Sequence, residues 1–292
     1  MLTFLAFGDF GFHTPLRQQN VEMMLQFRKQ NKVDAILSLG DNFYNYGVKS
    51  TSDPQWQDFE DTFRPLECPF YAVLGNHDYL GSIKAQMDYA SFHKDTHWKL
   101  PFRYYDKVFG SNEGVRVHVF FLDTFTLCPQ ESRLNSVAMG MFHFDQLFGQ
   151  KDWDQYRWLE KNLEKSTATW KVVVGHYPVF SNGHHGSNKD LVQDLLPILK
   201  RYNVDFYLSG HDHDLEFMRK DDINFIVSGT GCSSNPVSLS HQSIYASDST
   251  TFGFHLMRFT NEFVRFGFIT NQGTPMWYSI PKQKNVHYLL NK

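Results

Sequence analysis

The chain has 292 residues, 41% of them hydrophobic and 20% charged, with a formal net charge of −3. That balance excludes disordered and collagen-like chains, and the charge gives no basic field of the kind that nucleic-acid binding needs. No apolar run approaches the roughly 20 residues of a membrane span, so no membrane span is expected.

In chain order, Leu2–Phe7 reads as a first core strand; an apolar start with no basic segment that runs into Gly8-Asp9 is not a signal peptide. Leu16–Gln30 reads as a helix with Val21, Met24, Leu25 and Phe27 on one side. Then follow Val33–Leu39 (strand), Trp56–Phe63 (short helix) and Pro69–Leu74 (strand). The stretch 110–152 is the least regular and is expected to hold exposed loops around the strand Val115–Leu122. Trp153–Glu164 and Leu191–Tyr202 read as helices, and Lys171–Val174 and Val204–Leu208 as strands. This alternation predicts an α/β layered fold. Beyond His213 the strands Ile223–Ser228, Phe252–Phe259 and Phe263–Thr270 follow one another directly, which predicts an antiparallel end. No repeat, linker or low-complexity tract divides the chain, so one domain over 1–292 is expected.

Five polar clusters stand where an apolar strand ends: Gly8-Asp9-Phe10-Gly11, Gly40-Asp41-Asn42-Phe43-Tyr44, Gly75-Asn76-His77-Asp78, Gly175-His176-Tyr177-Pro178 and Gly210-His211-Asp212-His213. Ligands bind at the carboxyl ends of strands in α/β sheets because the adjoining loops converge there. Taken singly, Gly-Asp is more often a turn and Asn-His a helix cap with a surface histidine beside it. Taken together and in order, they supply carboxylate, imidazole, amide and phenol donors suited to hard or borderline cations. One Asp can bridge two ions with its two oxygens, roughly 3.5–4 Å apart. The clusters hold no cysteine, which argues against a structural zinc knot.

This ordered set resembles the calcineurin-like metallophosphoesterases. Tyr44, three residues after Asp41, narrows the likeness to the purple acid phosphatases. The wording at Ile36–Val48, Val73–Gly81, Leu122–Cys128, Gly175–Phe180 and Leu208–Asp214 looks like the small, tartrate-resistant type. The resemblance spans about Leu2 to Thr270. It implies a four-layer αββα sandwich, two mixed β-sheets flanked by helices. It also implies an acid phosphatase with a binuclear metal centre: Fe(III) held by Asp9, Asp41, Tyr44 and His213, and Fe(II), Zn or Mn held by Asp41, Asn76, His176 and His211. Metal-bound hydroxide would attack phosphorus, with His77 or His185 supplying the proton to the leaving oxygen.

Small phosphoesters or phosphoproteins are the implied substrates, and a monomer the expected state. A divalent-metal phosphodiesterase or nucleotidase is the alternative enzyme, and an inactive scaffold of the same fold the alternative outside enzymes.

Departures matter too. The first motif has Phe10 where the family usually has Trp. Secreted members pair a Cys matching Cys128 with one in the loop after the His-Tyr-Pro motif, and 185–190 here has none. The family disulfide is therefore expected to be absent. With three cysteines and no Asn-x-Ser/Thr acceptor, this leans toward the cytoplasm, a secreted or lysosomal location being the alternative if a leader was removed. The loop 130–150 differs from the segment that restrains activity in relatives until it is cut, so that regulation is not expected here.

Among the other residues, Asp78 and Asp212 read as supporting or surface groups, Asp123 as a loop anchor, and His184 as solvated. Phe10, Phe12 or Tyr79 could shape the mouth, and Cys68 and Cys232 pack as small apolar groups.

Overall fold

The computed structural model of the chain describes residues 1–138, 151–237, 239–240, 243–273 and 277–282. The first half runs β1 (Leu2–Phe7), α1 (Pro15–Gln30), β2 (Ala35–Ser38), α2 (Gln55–Phe63), β3 (Phe70–Ala72), α3 (Ile83–Phe92) and β4 (Trp98–Lys99). Next come β5 (Tyr105–Gly110), β6 (Arg116–Phe121), α4 (Thr124–Leu127) and α5 (Pro129–Ala138). The second half runs α6 (Trp153–Lys165), β7 (Trp170–Val174), α7 (Leu196–Arg201), β8 (Phe206–Ser209), β9 (Leu215–Lys220) and β10 (Ile223–Ser228). It closes with β11 (Ser243–Ala246), β12 (Gly253–Phe259), β13 (Phe263–Thr270) and β14 (Tyr278–Pro281).

Two seven-stranded sheets form, in the order β14-β13-β12-β1-β2-β3-β4 and β11-β9-β10-β8-β7-β6-β5. Both are mixed. β1 to β4 run parallel while β12 joins β1 antiparallel, and β6, β7, β8 and β10 run parallel while β5 and β9 close them antiparallel.

The period of two along a strand shows how the layers stack. Phe70 of β3 packs its ring on Phe59 and Phe63 of α2, at 5.4 and 5.0 Å between centroids. The next residue, Tyr71, points the other way, to Phe109 and Phe121 of the second sheet at 5.2 and 6.0 Å. In β6, Phe121 faces Tyr71 while Phe120 faces Trp158 of α6 at 6.4 Å. Further along the sheet–sheet interface Phe206 meets Phe259 and Phe217 meets Phe266, at 6.1 and 5.0 Å. Two mixed sheets thus face each other through aromatic rings, with helices outside. Ring pairs of this kind prefer the tilted and edge-on geometries seen.

α1 begins at Thr14, whose hydroxyl accepts the Arg17 amide at 3.1 Å and donates to the Cys232 carbonyl at 2.9 Å. The cap therefore also ties the loop after β1 to the loop after β10.

Three expectations need correction. Within 110–152 the expected strand, β6, is followed by two helices, α4 and α5, in place of the exposed loops expected, while 139–150, and with it most of the 130–150 loop, lies outside the described residues. Ile223–Ser228 is not simply part of an antiparallel end, since β10 pairs parallel with β8 as well as antiparallel with β9. Leu191–Tyr202 is not one regular helix. Leu191–Leu195 forms a wide turn in which the Leu196 amide donates to Leu191, and α7 begins only there. Pro197, with no amide proton, cannot continue the regular ladder, and the preceding turn widens. No helix among the described residues is long and apolar enough to cross a membrane.

Candidate metal centre

The five polar clusters follow the carboxyl ends of β1, β2, β3, β7 and β8, and the two sheets bring those ends together. The local backbone is tight. Asp9, Asp41 and His211 sit in the left-handed region, at φ 61°, 51° and 69°. Each such non-glycine residue costs on the order of 1 kcal/mol or more and persists only where the surroundings determine it. Gly75 must be glycine because a Cβ there would collide with Asp41 Oδ1, and at Gly210 with Asp9 Oδ2.

The side chains form two groups that share Asp41. Tyr44 Oη lies 2.9 Å from Asp41 Oδ2, 3.2 Å from Asp9 Oδ1 and 3.3 Å from His213 Nε2. His213 Nε2 is 3.6 Å from Asp9 Oδ1. On the other side, His176 Nε2 is 3.0 Å from Asn76 Oδ1 and 3.5 Å from Asp41 Oδ1. The His211 ring stands 5.0 Å from that of His176. The two oxygens of Asp41 therefore face different halves of the cluster, as a bridging carboxylate requires. Asp9, Asp41 and His176 also hold one donor atom each within 4.8 Å of one another.

Neighbours orient these donors. His176 Nδ1 is 2.8 Å from the Leu39 carbonyl, His213 Nδ1 contacts Ser233 Oγ, and the His211 amide donates to Asp9 Oδ2 at 2.9 Å. Partners of this sort fix which ring nitrogen is free to ligate.

The donors fit a cation better than they fit one another. Burial, with the Asp41 charge beside it, pushes Asp9 well above the usual carboxylate range. Burial, then Asp41 and Asp9, does the same to the Tyr44 phenol. Burial pushes Asp41 up as well, but His176 and His77 outweigh it and leave it low. Burial and the surrounding imidazoles hold His211 well below its ordinary value. Its Nε2 has no hydrogen-bond partner among the described residues. Among the described residues, the only basic side chains with a nitrogen within 4 Å of the Asp9 and Asp41 carboxylates are histidines, with no lysine or arginine among them. Two buried carboxylates, a phenol, an amide oxygen and three imidazoles form a set that a cation would stabilise.

His77 stands at the rim, 22% exposed, its Nε2 3.9 Å from Asp41 Oδ2 and its Nδ1 2.8 Å from the Asn45 carbonyl. His185 is exposed and stacks on His211 with ring centroids 4.0 Å apart. All nine residues singled out in the sequence thus meet in one place.

Two supporting acids prove to be interior, not surface, groups. Asp78 is fully buried and accepts from the amides of Gly75 and Asn42 and from the side chains of Asn42 and Gln86, at 2.8–3.2 Å. It binds the second polar cluster to the third. Asp212 does the same for the loop that carries His185. Asp123 is fully buried and anchors Tyr79 at 2.5 Å and Arg103 at 2.8 Å. Tyr79 is therefore no part of a mouth, and neither is Phe10, which is 1% exposed between Phe7 and Phe63. Phe12 is 40% exposed and stacks on Tyr44 at 4.7 Å. The three cysteines are free and buried.

Sequence reasoning missed Glu131, on α5. One of its oxygens lies 3.8 Å from His211 Nε2, and with His185 and His211 it forms a second possible ligand group. No strand-end signal marks it, since it belongs to a helix.

The calcineurin-like phosphoesterase family model matches residues 2–215. Tartrate-resistant acid phosphatase type 5 of Sus scrofa is 32% identical over 99% of this chain and 83% of its own length. Purple acid phosphatase 17 of Arabidopsis thaliana is 34% identical over 82% of this chain and 72% of its own. A solved structure described as GAP50, the anchor in the inner membrane complex of Plasmodium, superposes with a TM-score of 0.82 at 27% identity, covering 97% of this chain and 89% of that one.

Proposed function

The chain belongs to the calcineurin-like phosphoesterase family, with tartrate-resistant and purple acid phosphatases among its relatives, and on that premise we propose that it hydrolyses phosphate monoesters at a two-cation centre. A metal-dependent phosphatase follows from the kinship; the ligands, the pair of ions and the monoester preference are our reading. The observation that carries it is Asp41, whose two oxygens face Tyr44 on one side and His176 on the other.

Asp9, Tyr44 and His213, with Asp41, would hold a ferric ion, the phenol being a hard anionic donor. Asn76, His176 and His211, with Asp41, would hold Fe(II), Zn or Mn. Such a pair neutralises charge on the phosphoryl group and makes a water acidic enough to act as the nucleophile near neutral pH. His77 reaches the rim above Asp41, where its Nε2 can donate to a phosphoryl oxygen while the Asn45 carbonyl fixes the ring. His185 stands over His211, placed to protonate a departing alcohol.

The test is hydrolysis of an aryl phosphate monoester against the bis-aryl diester, with the visible spectrum recorded on the same protein. The reading expects turnover of the monoester and a purple band. Preference for the diester by a colourless protein would favour a divalent-metal phosphodiesterase instead.

A second reading has one observation in its favour, the fold-wide likeness to the Plasmodium anchor protein. It is a non-catalytic anchoring role. Absence of turnover from protein carrying two cations would select it.

A further inference from the structure

His185 is exposed, yet its backbone is held from below. In the loop that carries it, several amide protons go to two buried carboxylates outside the loop. The Asn182 amide and side chain donate to Glu216 at 2.9 and 2.7 Å. The amides of His185 and Gly186 donate to the two oxygens of Asp212 at 2.7 and 3.3 Å. Ser181 Oγ lies 2.5 Å from Asp212 and 2.7 Å from Glu216, and accepts the Gly183 amide at 2.9 Å. Gly183 itself passes so close that a Cβ would collide with the side chains of Asp212 and Asp214.

Asp212 is 1% exposed, and no lysine or arginine forms an ion pair with it among the described residues. A buried carboxylate without such a partner is expensive and is retained where its hydrogen bonds serve something specific. Here they serve geometry. Two consecutive amides held by one carboxylate fix the backbone of residue 185, and with it the direction in which the imidazole leaves the chain. Because Asp212 lies between His211 and His213, the loop is referred to the same backbone turn that presents those two rings. The stacking of His185 on His211 at 4.0 Å is the consequence.

We propose that Asp212 is a positioning residue of the hydrolysis: its carboxylate pins the 181–186 loop to the 210–213 turn and so sets where His185 stands above the centre. The proposal rests on the reading of His185 as proton donor. It takes no part in holding cations, and its effect on rate passes through His185 alone.

The experiment is a double-mutant cycle of Asp212→Ala and His185→Ala in the metal-loaded full chain. Asp212→Asn serves as the conservative variant, since it keeps one acceptor for the His185 amide. Three quantities are read: cations per chain, kcat for aryl and alkyl phosphates, and amide hydrogen exchange at 182–187. The expected result is unchanged cation content, with kcat on alkyl phosphates lower by roughly 10–100-fold in Asp212→Ala and less in Asp212→Asn. Activated aryl phosphates should be nearly spared, and exchange should quicken within the loop only. On a His185→Ala background, Asp212→Ala should change kcat no further. Loss of a cation in Asp212→Asn, or effects of the two alanine variants that simply multiply, would overturn the proposal. A wild type that binds two cations and turns over nothing would instead sink the phosphatase reading. In that case loop exchange decides the pinning by Asp212: quickened exchange upholds it, and unchanged exchange overturns it.

Discussion

Individual side chains at the centre have separable duties. His77 lies beside Asp41 and stands outside the ligand set we propose. His77→Ala should therefore keep both cations while kcat falls about 10²–10³-fold, the usual cost of losing one donor to developing charge, to a similar extent across leaving groups. Metal analysis alongside steady-state kinetics on a leaving-group series checks this, and loss of metal would show that His77 holds an ion. Tyr44 contacts Asp9, Asp41 and His213 through one oxygen. Tyr44→Phe should abolish the visible band while leaving the fold intact; a spectrum that does not change would remove Tyr44 from the ligand set. Most of these residues were legible because each follows a strand end in a short Gly-containing motif. Glu131 and the buried duties of Asp78 and Asp212 were not legible. A carboxylate that accepts amide protons in the interior has the same one-letter signature as one in water.

At the scale of elements, the five strands that end in the polar clusters could be read from apolar runs and the glycines after them. α3 could not. The residues it buries are Ala85, Gln86 and Tyr89, with Ile83 and Met87 only partly covered, so its most apolar residues do not mark its buried face. Gln86 is interior because its side-chain amide donates to Asp78 at 2.9 Å and its backbone carbonyl receives the Trp98 indole at 2.9 Å. β4 is only two residues long, too short for any period to show. The same local network predicts a mutational effect. Asp78→Ala would leave the amides of Gly75 and Asn42 buried without acceptors, at about 1–3 kcal/mol for each. A fall in melting temperature accompanied by weaker cation retention is the expected outcome of calorimetry and metal titration. A lower melting temperature with full cation affinity would mean that the two loops do not depend on this staple.

Over the whole molecule, aromatic residues, 16% of the chain, form the joint between the sheets, and one ring in it is an imidazole. His255 on β12 is fully buried against Phe266 and Phe268. Burial drives its pKa down to about 3, with only the Gly267 backbone pulling the other way. In the unfolded chain a histidine titrates near 6.5. Between those values the unfolded chain takes up a proton that the folded chain refuses, so stability falls as pH drops from about 6.5 to about 3. His255→Phe should remove this part of the acid sensitivity. Melting temperatures of the two proteins are expected to diverge in favour of the variant as pH falls below about 6.5, and parallel curves would contradict it.

Elemental analysis of cations bound per chain, in the wild type and in Asp41→Asn after identical loading, addresses the centre as a whole. Two cations in the wild type and loss of both in the variant are what a shared bridging carboxylate predicts. A wild type with only trace metal, or a variant that retains the same pair, would contradict it.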